Sequence, residues 1–348
     1  MINLKRGIRV IAKEIRKPIN LSLENGRLNR QAVGWARKPL IYSNVSGSFL
    51  RKKKWNYWAV TSPDLMFSAT VSHIDYAAVL FVYILDLKTF DFHEKTLLIP
   101  LGKNVSMPNE VQQTIKVDHK DMMIQLIDQD SDTRIKVEID DFDGKGTPLQ
   151  ANISLERPDK YQSLNVVVPW SDKRYQFTSK QPTIPATGTV QWGDRHYTFS
   201  LDNAFGCLDF GRGIWNYAST WNWASGSGIV AGKRVGLNFG GQWTDGTGQN
   251  ENGLLIDSVL HKIHEDIVWE YDTGDFMKPW RLTTKDSDRV DLTFTPLFER
   301  IAATNVIIVQ SRVNQMIGHF NGKVVSDDGE VINIEQMIGW AEDHMAKW

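Results

Sequence analysis

Carboxylate, guanidinium and indole groups crowd one run of the chain, residues 207–240, CLDFGRGIWNYASTWNWASGSGIVAGKRVGLNFG. Read as one strand, residues 215–223 alternate so that Trp215, Tyr217, Ser219, Trp221 and Trp223 share a face, with Asn216, Ala218, Thr220 and Asn222 opposite. One face is then an aromatic wall. Just upstream, Asp209 and Arg212 flank Gly211 at an expected strand end, where a bend aims both side chains into a barrel mouth. A carboxyl beside such a wall loses hydration in its charged form, so its pKa rises toward that of a general acid near neutral pH. The structural alternative is an Asp209–Arg212 ion pair closing a barrel beneath a Trp-filled core.

Residues 241–272 follow, with TDGTGQNENG reading as a hairpin or loop. Glu251, Asn252 and Asp257 are placed at the same mouth as Asp209, although a solvated loop explains the first two equally well. No EF-hand spacing is present, which argues against calcium. His261 and His264 lack the i, i+2 spacing of strand ligands and no third ligand accompanies them, so no metal is expected. G-x-S-x-G, Walker A and dinucleotide fingerprints are missing, which disfavours serine hydrolases, kinases and dehydrogenases. No cofactor is expected.

A second concentration lies in the first quarter of the chain. RKKKWNYWAVTS, residues 51–62, sets four cations directly before Trp55, Asn56, Tyr57 and Trp58, and residues 26–40 add Arg27, Arg30 and Arg37. Alternation puts Trp55 and Tyr57 on one face and Asn56 and Trp58 on the other. One reading docks an anionic head group on Arg37, which sits between Trp35 and Pro39, with Trp35, Trp55 or Trp58 stacked behind. The other, favoured for Lys52 to Lys54, is a solvated strand end whose lysines discourage edge pairing.

What positions these groups is a chain of short period-two runs, such as LMFSATVSHI, TRIKVEID, RHYTFSLD and RVDLTFTPL, broken by Gly, Asn, Asp and Pro. That is the pattern of an antiparallel all-β protein. Few segments outside the first nineteen residues and the extreme C-terminus read as helical. TSKQPTIPATG, residues 178–188, has two prolines between a run ending RYQF and one beginning TVQW, and is the best boundary. The expected division is an amphipathic helix over 1–19, a first β-barrel-like domain over 20–182 and a second over 183–348. Trp-Asn-Tyr recurs once in each half, at Trp55 and at Trp215.

Bulk properties narrow the partners. Lys+Arg 40 against Asp+Glu 41 gives a formal charge of -1, so no overall field favours nucleic acid. With Cys207 alone there is no intrachain disulfide and no multi-thiolate zinc site, which fits a reducing cytoplasm. The start has cations among its apolar residues and no continuous h-region, against a secretory signal. The longest apolar run, YAAVLFVYILDL, is too short to span a bilayer. In residues 1–19, Leu4, Ile8, Ile11 and Ile15 follow helical spacing among six cations and one anion. Such a helix packs on a barrel mouth or makes weak contact with a membrane surface. The 13 Trp line a ligand cavity as naturally as they fill a core.

NGRLNRQAVGWARKPL, RKKKWNYWAVTSPDLMFSATVSHIDY, DFGRGIWNYASTWNWASG and VGLNFGG resemble the family known as domain of unknown function 2804, over nearly the whole chain after residue 20. That family is in turn distantly similar to tandem lipocalin-like proteins, among them carotenoid hydratases, the AttH group, tocopherol-cyclase-like proteins and pericyclic cyclases. The resemblance implies two lipocalin-like antiparallel barrels in tandem, with a ligand pocket in or between them. In the hydratases, acidic and aromatic residues promote protonation of a double bond; Asp209 and the Trp215, Trp221 and Trp223 cluster match that loosely, without a complete acid set.

Three functions follow. The first is binding of a small hydrophobic molecule, lipid or isoprenoid-like, with an anionic end, held by Trp walls and one Arg. The second is a cofactor-independent hydratase, isomerase or cyclase with Asp209 as proton donor and Trp faces stabilising a carbocation. The third is a structural protein with filled barrels. A cavity of several hundred Å³ separates the third from the others.

Overall fold

The structure is a computed structural model that describes residues 12–129, 131–306 and 309–348. Among these the only helical element is a single 3-10 turn, Arg30–Ala32, and everything else regular is strand. Two large antiparallel sheets follow one another along the chain. The first runs, edge to edge, from Phe92–Pro100 through Ala77–Asp86, Leu65–His73, Lys52–Thr61 and Phe205–Ile214 to Arg174–Trp192, and onward through Leu149–Glu156 to Ile115–His119. The second has nine strands, with Ala218–Val230, Val331–Lys347, Val309–Val325 and Val290–Val306 at its centre. The all-β, two-sheet tandem expected from the alternation is the architecture observed.

Period two sorts each strand between two environments. On Lys52–Thr61, Trp58 and Val60 enter the core inside the first sheet, while Tyr57 and Ala59 join a cluster with Trp223, Ile317 and Trp340 of the second sheet. On Phe205–Ile214, Leu208 and Phe210 take the inner side and Cys207 the inter-sheet side. The sheets therefore meet face to face over buried aromatic side chains.

Three expectations about elements are corrected. Residues 1–11 of the expected N-terminal helix lie outside the described residues, and residues 12–19 carry no helix. Glu14 bridges Trp35, Ile15 N–H donates to the Trp35 carbonyl at 2.6 Å, and Ile15 is buried. Edge pairing satisfies backbone groups that a helix would have bonded internally. The extreme C-terminus, read as helical, is the strand Val331–Lys347, paired on both flanks. Residues 178–188, read as the boundary between two β units and so as a break between strands, lie inside the 19-residue strand Arg174–Trp192. Its two prolines border or follow a register shift between Gln181 and Ile184, where an interrupted ladder tolerates the missing N–H. The first sheet thus holds strands through Ile214, and the second begins at Ala218.

Candidate functional site

The register of the two sheets places chemistry in two facing rows. In the first sheet Lys180 pairs with Asp209, and Asp209 with Tyr57. In the second, Trp223 pairs with Glu342, Glu342 with Gln315 and Gln315 with Arg300. Between the rows lies a cavity of about 760 Å³. Indole rings supply much of its wall: Trp55, Trp215, Trp221, Trp223, Trp243 and Trp348. Trp215 is their centre, 5.7 Å from Trp55, 5.7 Å from Trp221 and stacked on Trp243 at 5.8 Å.

Two glycines admit bulky groups to this wall. A Cβ on Gly211 would stand 2.1 Å from Trp55 Cε2, and one on Gly240 would stand 2.3 Å from Glu251 Oε1. Gly240 belongs to the NFGG run, so its absence of side chain is what lets the Glu251 carboxyl reach the floor.

Lys180 is the hub of the first row. Its Nζ lies 2.9 Å from Asp209 Oδ2 and 3.3 Å from Glu251 Oε2, and 4.2 Å from the centre of the Trp223 ring. Burial works to lower the Lys180 pKa, but the two carboxylates outweigh it and the net direction is upward. Glu251, which also accepts from Trp243 Nε1 at 3.0 Å, is pushed up by burial against the opposing pull of Lys180.

The second row differs in having an unpaired acid. Glu342 accepts from Trp221 Nε1 at 3.1 Å and from Gln315 Nε2 at 3.3 Å, and among the described residues it forms no ion pair. Burial pushes its pKa up to about 7. Gln315 also ties the sheets together: its Nε2 donates to Tyr57 OH at 3.4 Å, and its Oε1 accepts from Tyr83 OH at 3.1 Å. Arg300 adds a bidentate pair to Glu94, both contacts at 2.8 Å. His344 faces the cavity beside Trp221, ring centres 3.8 Å apart, with Nε2 2.9 Å from Ser311 Oγ. Burial pulls its pKa down to about 3, so the imidazole is neutral.

Of the residues singled out from sequence, Asp209, Glu251, Trp55, Trp215, Trp221 and Trp223 line the cavity. Six do not. Arg212 stands three residues from Asp209 on one strand and so points to the opposite side. There it is fully buried, donating to the carbonyls of Pro108, Trp55 and Gly211 and to Asn56 Oδ1. The expected Asp209–Arg212 pair is replaced by Asp209–Lys180. Tyr217 lies in the link between Ile214 and Ala218, which breaks the single strand expected over 215–223, and its ring is 44% exposed beside Arg51.

Trp58 belongs to the first core. Arg37 packs over Trp35 and donates to Glu14, Gln162 and the Leu260 carbonyl. Asn252 is buried in backbone contacts to Gly240 and Glu265, and exposed Asp257 closes a turn onto the Arg234 N–H. Lys53, expected at a wet strand end, is 1% exposed and donates to the Leu50 and Ile74 carbonyls. Lys180, Glu342, Arg300 and His344 were missed. For the last strand the signal was present: alternation in GWAEDHMAKW sets Trp340, Glu342 and His344 on one face.

Residues 12–348 match the family described as Domain of unknown function (DUF2804). The chain belongs to this family. No curated protein is significantly similar to this DUF2804 chain. Among solved structures it is similar to an AttH-type protein from Nitrosomonas europaea, at 12% identity over 85% of this chain and 92% of that one, with a TM-score of 0.46. It is also similar to CghA, solved with Sch210972, at 12% identity over 86% and 88%, TM-score 0.45. Kievitone hydratase from Nectria haematococca matches at 10% identity over 86% and 89%, TM-score 0.41. Likenesses this distant assign no activity to the DUF2804 chain. No described helix is long and apolar enough to cross a membrane.

Proposed function

We propose that the protein binds a small, largely apolar molecule in the cavity between its two sheets. The observation that carries this is the cavity itself, about 760 Å³ and walled by tryptophan, within the size range of ligand sites. An open cavity also speaks against the reading in which all interior space is filled. The supporting test is native mass spectrometry of gently purified protein, followed by organic extraction. A defined hydrophobic species in simple stoichiometry is the expected result, lost in Trp221→Asp. Repeated recovery of empty protein that also takes up no N-phenyl-1-naphthylamine would overturn the reading.

A second reading, a cofactor-independent enzyme, is favoured by Glu342 rather than Asp209. Asp209 is held in an ion pair with Lys180, whereas Glu342 faces the cavity without a cation, its pKa raised by burial to about 7. Both Glu342 oxygens already accept N–H groups, so a proton on this carboxyl is directed to a ligand. Glu342→Gln then abolishes turnover of the extracted molecule, while uptake of the neutral probe N-phenyl-1-naphthylamine shows that the cavity is intact. Equal turnover in the variant removes Glu342 as the acid.

A further inference from the structure

We infer that the polar end of the bound molecule is a cationic ammonium group, seated against Glu342, Asp209 and Glu251 under the faces of Trp221 and Trp223. The inference rests on the cavity being a binding site and names the class of molecule it takes.

The argument is a charge inventory. Four carboxyl groups line this part of the cavity, Glu94, Asp209, Glu251 and Glu342, against two cations, Lys180 and Arg300. Arg300 forms its ion pair with Glu94 through Nε and Nη2, and its Nη1 donates to Gln315 Oε1 at 3.5 Å. Lys180 is shared between Asp209 and Glu251, and Glu251 Oε2, in a residue only 1% exposed, has no hydrogen-bond donor aligned on it. Glu342 meets no cation among the described residues. With all four ionised, the floor carries two negative charges in excess. Burial makes such an excess unfavourable, and either protons or a cationic ligand relieve it.

The aromatic wall selects between ligands in the same direction. Indole faces attract ammonium groups, and this wall already holds one, since Lys180 Nζ stands 4.2 Å over the Trp223 ring. The same three carboxyls repel an anion. The other charged groups facing Glu342 are Lys180 and Arg300, both committed, and His344, which burial keeps neutral.

Lys53 and Lys54 also line the cavity, but they stand four and three residues from Tyr57 along one strand, about 10–13 Å away. Lys53 is occupied by the Leu50 and Ile74 carbonyls, and Lys54 by the Met107 carbonyl. They mark the far end. Arg37, the cation on which an anionic end was expected to dock, does not line the cavity and is held by Glu14 and Gln162.

Three probes with one ring system and different ends test this: 2-naphthylmethylamine, 2-naphthylmethanol and 2-naphthoate, titrated calorimetrically at pH 7 in two buffers of different ionisation enthalpy. The amine is expected to bind about tenfold tighter than the alcohol and to release protons, because a neighbouring cation favours ionised Glu342. Naphthoate is expected to bind weakest. In Glu342→Gln the amine loses most of its advantage and the proton release, while the alcohol binds as before and shows that the variant is folded.

Alcohol or naphthoate binding as tightly as the amine would overturn the cationic class and leave the cavity reading intact. An amine preference unchanged in both Glu342→Gln and Asp209→Asn would overturn its placement at this floor. Failure of all three probes would overturn both readings.

Discussion

Trp221 Nε1 donates to Glu342 Oε1 at 3.1 Å across neighbouring strands of the second sheet, and among the described residues that carboxyl has no cationic partner. Burial lifts its folded pKa to about 7 while the unfolded chain keeps an ordinary carboxylate value. A raised carboxyl pKa contributes stability below the unfolded value, and that contribution is lost as pH rises through about 7. Glu342→Gln should therefore leave stability nearly unchanged at pH 5 and raise it by roughly 2–3 kcal/mol at pH 8.5. Urea unfolding at the two pH values checks this; an equal effect at both would show that the carboxyl does not titrate between them.

Lys180→Met removes the cation that Asp209 and Glu251 share. Two buried carboxylates then face one another uncompensated, and a loss of about 3–5 kcal/mol is expected at pH 7. Adding Asp209→Asn should recover part of that loss. A double-mutant cycle reads the coupling, and strictly additive losses would mean that the pair contributes nothing as a pair.

Gly211 is the place where Trp55 crosses the sheet, and a methyl group there would lie 2.1 Å from two carbons of the indole. Gly211→Ala is expected to destabilise by about 1–3 kcal/mol, and by less in a Trp55→Leu background. Near-ultraviolet circular dichroism should change with it, because Trp55 packs on Trp215. An unaltered spectrum would show that the ring does not lie over Gly211.

Lys53 is a buried lysine that forms no ion pair among the described residues, and burial, only partly opposed by Asp75, lowers its pKa to about 7. The unfolded lysine stays protonated to far higher pH, so the folded protein gains stability from this group as pH rises above about 7. Lys53→Met should accordingly be more favourable at pH 6 than at pH 9.5, by roughly 2–3 kcal/mol. Thermal melts across that range decide it, and a difference that does not vary with pH would refute the assignment.

Much of this was readable along the chain because side-chain alternation is a local property. Period two in residues 51–62 separates Trp55 and Tyr57 from Trp58, and the strand Lys52–Thr61 divides them between the cavity and the first core in that way. The same rule, applied to Asp209 and Arg212, separates them, and the bend that was expected to reunite them does not occur: Phe205–Ile214 is one continuous strand. The two prolines of residues 178–188 read as a break because a ladder normally needs their N–H groups; a register shift in the strand Arg174–Trp192 accommodates them instead.

What no stretch of sequence contained is who faces whom. Arg300 and Glu94 are 206 positions apart, Gln315 and Tyr57 258 apart, and the Lys180–Trp223 contact joins strands of different sheets. Local preferences determined that each strand has one apolar side and which residues share it. The pairing of one sheet's face with the other's, the raised pKa of Glu342 and the gathering of four carboxyls around two cations on the cavity floor were decided by tertiary structure, because desolvation and Coulomb energy depend on neighbours brought together only when the two sheets close.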